Sequence, residues 1–311
     1  MTQPTTTFAI CTRNRARLLR ECVESLVTSC AGLRTPWEIL VIDNGSTDET
    51  QEVLQGLSSD PHLRTVREER MGISHARNAA VHNAPGRILV YIDDDVLVPP
   101  EYAERIYTNF EARNVDILGG PMLPRWEGRP PFWLSRDLYG VLGLIEGVQI
   151  VQGRGYPRIF SGNMACRREL LASLGPSPFD PRLGRSGTRL IGNEESYLID
   201  RLSQMGAKIG FAEDAPVYHR VPADRLTLRH FLRYYFYAGV SDCREACIRS
   251  GNRVLPRWVI GELVRRGAEV PLYLVTGQPA KAVVSLFRFT GRLGRIYEYV
   301  RTGFHRVESA N

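Results

Sequence analysis

Ile88-Leu89-Val90-Tyr91-Ile92-Asp93-Asp94-Asp95 is the stretch on which the reading of this chain turns: five apolar residues run straight into three acids. A short continuous apolar run reads as a strand covered on both faces, the kind found in parallel sheets. Three carboxylates at its carboxyl end are costly unless something compensates them. That same end of a parallel sheet is where ligands bind in open α/β folds. Asp93 and Asp95 are expected to point the same way along an extended backbone. Together they suit a hard divalent cation, Mg2+ or Mn2+, held against a diphosphate. A solvated acidic turn ahead of Pro99-Pro100 accounts for the same residues, and the D-x-D spacing alone does not choose between the two.

Outward from this strand, residues 1–120 alternate short apolar runs with helical patterns, which predicts βαβ units and a mainly parallel sheet. Thr7 to Cys11 and Glu38 to Ile42 read as strands, with a weaker one from Leu63 to Arg67. Arg15 to Ser29 reads as a helix with Leu18, Leu19, Cys22, Val23 and Leu26 on one face. Ser46 or Thr47 is expected to cap a helix through Leu57. Ser74 to Asn83 and Glu101 to Arg113 complete the helices of this part. Five prolines between Pro121 and Pro157 predict a long irregular segment over residues 121–158, of the kind that binds or covers something. Order returns from Ile159, with a helix over Glu194 to Met205, a strand over Lys208 to Phe211 and another over Ala215 to Tyr218, ending at His219. From Arg225 the pattern is helical. The expected partition is 1–120, 121–222 and 223–311.

The bulk numbers are those of a globular enzyme-sized protein: 311 residues, 43% hydrophobic, 24% charged. No apolar stretch reaches the roughly 18 residues of a membrane span. The polar Met1 to Thr7 lacks a secretory pattern, so the expected location is the cytoplasm, with peripheral contact at the inner membrane as a further option. The six cysteines (11, 22, 30, 166, 243 and 247) include no CxxC pair and read as buried free thiols. The net charge is +6, and all but Lys208 and Lys281 of the 40 basic residues are arginines, whose forked donors suit phosphate. Nucleic acid is not expected, since no recognition motif accompanies the charge. The basic, apolar tail from Val254 to Gly303 reads as a packed helical extension, with an interfacial helix or an oligomer contact as the alternatives.

Three further stretches could serve a nucleotide. Thr12-Arg13-Asn14-Arg15 follows the first strand, where backbone N–H groups and arginines suit phosphate. The dinucleotide signature GxGxxG is absent there. Asp43 ends the second strand, placed for a ribose hydroxyl or base N–H, although Asn44-Gly45 favours a plain Asx turn, which is the preferred reading of this stretch taken alone. Gly72-Ile73-Ser74-His75-Ala76-Arg77-Asn78 pairs a glycine that permits close approach with an arginine.

Taken together, these four segments resemble glycosyltransferase family 2, of the GT-A fold, over residues 5 to 220. The resemblance implies a Rossmann-like, mainly parallel sheet flanked by helices, with a C-terminal helical extension. It implies inverting transfer of a sugar from a UDP, dTDP or GDP sugar to an acceptor hydroxyl. Asp43 would then hold the base or ribose, and Thr12, Arg13, Asn14, Arg15, Gly72, Arg77 and Asp94 would line the nucleotide-sugar site. Asp95 would be the main metal ligand, with Asp93 binding metal or the donor's ribose and sugar. Phe160-Ser161-Gly162-Asn163-Met164-Ala165 resembles the family's G-G-N-M-A segment, with Ser161 for the first glycine, and brings Asn163 to the donor. Gly192-Asn193-Glu194-Glu195 resembles the family's acidic pair, with Glu195 as general base, Glu194 as the alternative, and Glu where Asp is usual. His219 matches a position near the metal, with a structural histidine as the other reading. The aromatics from Tyr234 to Tyr237 are expected to pack. A nucleotidyltransferase or a non-catalytic carbohydrate-binding protein is the rival reading; the former lacks its glycine-rich N-terminal loop here.

Overall fold

The structure is a computed structural model and describes residues 4–252 and 255–303. The first three residues of the polar N-terminus and Val254 at the head of the basic tail lie outside the described residues. In chain order the elements are β1 (Thr6–Thr12), α1 (Ala16–Cys30), β2 (Trp37–Asp43), α2 (Thr50–Leu57), β3 (Leu63–Arg67), α3 (Ile73–Asn83), β4 (Ile88–Asp93), β5 (Val96–Leu97) and α4 (Tyr102–Arg113). They continue with β6 (Ile117–Gly119), β7 (Met122–Trp126), a 3-10 turn at Arg136–Leu142, β8 (Asn163–Arg167), α5 (Arg168–Ala172), α6 (Glu194–Gln204), β9 (Ile209–Phe211) and β10 (Val217–Val221). A second 3-10 turn at Ala223–Leu226 leads to α7 (Leu228–Ser250), α8 (Arg257–Val275) and α9 (Pro279–Gly303).

Two compact units divide the chain: Met1–Arg125, Gly143–Pro181 and Glu194–Arg220 form the first, and Trp126–Leu142, Arg182–Asn193 and Val221–Asn311 the second. The first unit is built on a seven-stranded sheet in the order β3-β2-β1-β4-β8-β6-β9. Strands β3, β2, β1 and β4 are mutually parallel, β8 runs antiparallel to β4 and β6, and β9 is parallel to β6. Burial explains the order. In β1 and β4 apolar residues point to both faces and are buried on both, so these strands sit centrally. In β3, Arg64 and Arg67 are exposed, and the strand takes the edge.

One face of the sheet packs Phe8, Ile10, Val41 and Val90 against Leu19, Val23 and Leu26 of α1 and Ile106 and Phe110 of α4. The other packs Ala9, Leu40, Leu89 and Tyr91 against Ala76 and Ala80 of α3 and Leu198 and Leu202 of α6. Each fully buried Leu, Ile or Phe in these layers contributes about 1.5–3 kcal/mol. The large side chains lie on the α1/α4 face and the alanines on the α3 face, so α3 and the segment it carries approach the sheet closely.

Four local expectations are corrected. Neither Ser46 nor Thr47 caps α2: its N-cap position is Glu49, which makes no side-chain capping bond, and Asp48 just before it accepts from the Thr50 N–H at 3.1 Å, while Ser46 Oγ accepts from the Asn14 N–H at 3.0 Å. The proline-rich segment 121–158 is not structureless: it holds β7 and a 3-10 turn. The strand expected to stop at His219 runs on to Val221: β10 lies between β5 and β7, and the Val221 carbonyl accepts from the Glu127 N–H at 2.9 Å. The strand β8, unannounced by any long apolar run, fills the antiparallel position between β4 and β6. All six cysteines are free, four of them buried.

The second unit is helical. Gly239 and Gly294 let α7 and α9 cross closely: a methyl at Gly239 would collide with the Gly291 carbonyl, and one at Gly294 with the Phe236 carbonyl. Phe231, Tyr235, Phe287 and Trp133 stack at ring separations of 4.8 to 5.5 Å, so these aromatics pack. Glu298 is buried between Arg244 at 2.7 Å and Arg301 at 2.8 Å. Among the described residues no helix is long and apolar enough to cross a membrane.

Candidate active site

The carboxyl ends of β1, β2 and β4 lie level: Thr12 pairs with Asp43 and Cys11 with Asp93. The acids that end these strands and the turns beyond them are therefore presented at one sheet edge, all within the first unit. They gather around two arginines.

Arg15, one residue ahead of α1, donates one guanidinium nitrogen to Asp94 Oδ1 at 2.6 Å and to Asp95 Oδ2 at 3.0 Å. Asp94 is buried and also accepts from Thr12 Oγ1 at 2.8 Å. Burial pushes its carboxyl up to about 6, with Arg15 opposing and Asp95 adding to the shift. The buried His219 sets Nε2 3.2 Å from Asp95 Oδ1, and its Nδ1 has no hydrogen-bond partner among the described residues.

The extended alternation expected through the triplet is overturned here. β4 ends at Asp93 and the chain turns at Asp94 and Asp95 before β5 begins. Asp94 and Asp95 share Arg15, while Asp93 faces Arg77 at 3.7 Å. A strand places alternate side chains together only while it stays extended.

Arg77 is the second centre. It is buried on α3, with Glu194 Oε1 at 2.7 Å, Glu195 Oε2 at 3.8 Å and Asp93 at 3.7 Å. Its guanidinium lies over the Phe179 ring at 5.7 Å, and its carbonyl accepts from the Tyr91 hydroxyl at 3.0 Å. Burial works against its charge, but Glu194, Glu195 and Asp93 more than offset that and hold it protonated. Glu195 Oε2 accepts from the Ser161 backbone N–H at 3.2 Å. Its carboxyl is pushed up to about 7, first by burial and then by Glu194 alongside. Next to Ser161, a methyl at Gly162 would lie 2.6 Å from Asp93 Oδ2, so glycine is what lets that backbone pass the acid.

The remaining sequence-predicted residues are placed as follows. Asp43 is fully buried and engaged by the Ser46 N–H at 2.9 Å, Gln51 Nε2 at 2.5 Å and Arg67 at 3.0 Å. It shares the sheet edge with the other acids through register, and its partners are its own. Asn14, in the left-handed region at φ 53°, accepts from the Thr47 N–H at 2.7 Å and so ties the turn after β1 to the turn after β2. Gly72 donates its N–H to Asn44 Oδ1 at 2.8 Å. Arg13 is half-buried. Asn163 is fully buried, accepts from the Tyr102 hydroxyl at 2.8 Å and donates to the Pro121 and Ala215 carbonyls at 3.0 Å, so its side chain braces three segments. Sequence reasoning missed Tyr91, Phe179 and the Ser161 N–H. Gly162 was a usable signal for the last; nothing near Phe179 in sequence marks it as the ring under Arg77.

Known proteins resemble the chain throughout this region. A family model described as glycosyl transferase family 2 matches residues 7–175, more than half of the chain. The chain belongs to glycosyl transferase family 2. The transferase is 24% identical over 323 residues to the glucosyl-dolichyl phosphate glucuronosyltransferase of Haloferax volcanii, covering 97% of this chain and 98% of the relative. It is 25% identical over 240 residues to the succinoglycan biosynthesis protein ExoM of Rhizobium meliloti, covering 76% and 74%. In fold it is similar to a mannosyltransferase, PcManGT from Pyrobaculum calidifontis, solved with GDP-Man and Mn2+. That match has TM-score 0.62 at 22% identity and covers 98% of this chain and 88% of the other. It is also similar to S. aureus TarS 1–349, solved with UDP-GlcNAc, at TM-score 0.52 and 15% identity, covering 99% and 95%. The fold of the transferase is the GT-A arrangement that the sequence resemblance implied.

Proposed function

We propose that this glycosyltransferase transfers a sugar from a nucleotide-diphosphate sugar to an acceptor hydroxyl in a single inverting displacement, with Glu195 as the general base. The observation that supports this most is the meeting of Glu195 and Asp93 on Arg77. It sets a carboxylate with a raised pKa, about 7, beside an acid at the end of the central strand. A base works best when its pKa lies near the operating pH. Glu194 is the poorer candidate, since its 2.7 Å pair with Arg77 commits it to that cation.

In the reaction, Glu195 takes the proton of the acceptor hydroxyl as that oxygen bonds to the anomeric carbon. The bond from that carbon to the diphosphate oxygen breaks on the opposite face. The electron pair leaves with the nucleotide diphosphate, so one displacement inverts the configuration. Thr12, Arg13, Asn14, Gly72 and Asp43 line the nucleotide end, and Asp93 faces the donor's ribose and sugar. The Ser161 N–H and Arg77 orient Glu195.

Asp95 and His219 fit a divalent cation, Mn2+ or Mg2+. They offer a carboxylate oxygen and an imidazole within 3.2 Å of one another, and the ring's other nitrogen is unpartnered. Among the described residues no three His, Cys, Asp or Glu side chains gather as a metal set. Such a cation would take its remaining ligands from diphosphate oxygens and water, as Mg2+ does at phosphate sites. When bound, it supplies charge neutralisation on the departing diphosphate.

The test is thermal shift with UDP-, dTDP- and GDP-sugars, with and without Mn2+. One donor should raise the melting temperature only with metal present. Asp95→Ala should abolish that shift while still melting cooperatively without ligand. A shift that persists in Asp95→Ala or in chelator overturns the metal reading; no shift with any nucleotide sugar overturns the donor class.

A further inference from the structure

Helix α8 carries an apolar stripe that none of the described residues of the second unit covers. Ile260, Val264, Leu272 and Val275 are all exposed, Val264 at 68% and Val275 at 87%. With Ala268 and Pro271, also exposed, they recur at three- and four-residue spacing and so share one side of the helix. The opposite side is fully used. Val259 is buried there, Glu269 accepts from Ser285 of α9 at 2.8 Å, and Glu262 and Glu269 pair with Arg266. An apolar row of this length on a soluble surface marks a contact.

We propose that this stripe docks α8 on the surface of a bilayer containing anionic lipid, with the helix axis lying in the plane of the membrane. Charge selects this partner. Residues 257–301 hold eight Arg and Lys against three Glu; Arg257 stands exposed on the stripe's own side of the helix, and Arg265 at its border pairs with Glu262 and Glu269. A helix that is apolar on one side, in a segment with an excess of basic residues, suits an anionic interface, with apolar insertion and charge attraction adding together. The helix lies on the membrane instead of crossing it. Its 19 residues give a length of about 28 Å, near the thickness of the hydrocarbon layer. Arg257, Glu262, Arg265, Arg266 and Glu269 exclude it from that layer.

This reading is independent of the proposed donor chemistry, and so is its test. Full-length protein is sedimented with vesicles of phosphatidylcholine alone and with vesicles that also contain phosphatidylglycerol. The wild type should pellet with the second kind only, and less as salt rises. The double substitution Leu272→Glu with Val275→Glu should lower the partition coefficient at least about tenfold while leaving the melting temperature unchanged, since both side chains are already exposed. Wild-type protein that stays in the supernatant with anionic vesicles overturns the proposal, as does a double variant that pellets like wild type. A wild type of dimer mass whose double variant is monomeric also overturns it, assigning the stripe to contact between copies.

Discussion

Arg15 and Arg77 each neutralise a group of acids at the same sheet edge, but the protein holds them differently. The Arg15 side chain keeps 34% of its surface in solvent and bonds Asp94 and Asp95 from outside. The Arg77 side chain keeps 7%, lies over Phe179 and stands among Glu194, Glu195 and Asp93. A cation on the surface of an acidic pair can be exchanged for another cation. One buried beneath a carboxylate pair cannot leave without stranding charge. The Arg15 group thus suits a site where a metal and a diphosphate come and go, and the Arg77 group suits a fixed base. Both include a carboxyl raised by burial, Asp94 to about 6 and Glu195 to about 7, and both remain ionisable near neutrality.

The largest effect that would sharpen this contrast is on rate. Glu195→Gln should lower transfer about a hundred- to ten-thousand-fold while the nucleotide sugar still binds, read by turnover and by calorimetry side by side. Wild-type turnover in this variant would remove the base from the Arg77 group altogether. Next is stability. Arg77→Ala leaves Glu194 buried without its partner and should cost about 3–5 kcal/mol in chemical denaturation. Arg15→Ala should cost less, and Mn2+ should raise its melting temperature by more than it raises that of Arg77→Ala, in which Arg15 still neutralises Asp94 and Asp95. If Mn2+ treats the two variants alike, the distinction between exchangeable and fixed cation fails.

The smallest effect is in pH. A general base must be ionised, and the ionised fraction of Glu195 falls as pH drops through its raised value of about 7. The kcat/KM profile should therefore lose about tenfold per pH unit on its acid side below that point. An acid limb in the ordinary glutamate range would show that burial and Glu194 do not govern the working base.

Much of this was open to inspection in the chain itself. The apolar run ending in Asp93, the turn after Cys11 and the acid ending β2 fixed which residues reach one sheet edge, because parallel strands in βαβ order present their carboxyl ends together. What was not legible is which acid meets which arginine. Asp93 and Asp95 looked like partners by spacing, and the turn after Asp93 separated them. Nor does sequence show that the Asn163 side chain braces Tyr102, Pro121 and Ala215. Phe179 comes to Arg77 from about 100 residues away in the chain, where no local pattern marks it, whereas the Ser161 N–H that bonds Glu195 had Gly162 beside it as a signal.

Sequence alone determined the layered α/β class, the edge that carries the acids and the inventory of charged groups, since these follow from hydrophobic period and strand order, which are local properties. Tertiary structure alone decided the pairing of those charges, the raised carboxyls of Asp94 and Glu195, and the bare face of α8. The reason is physical: pairing, desolvation and exposure depend on how close distant segments come, and the path of the folded chain sets those distances.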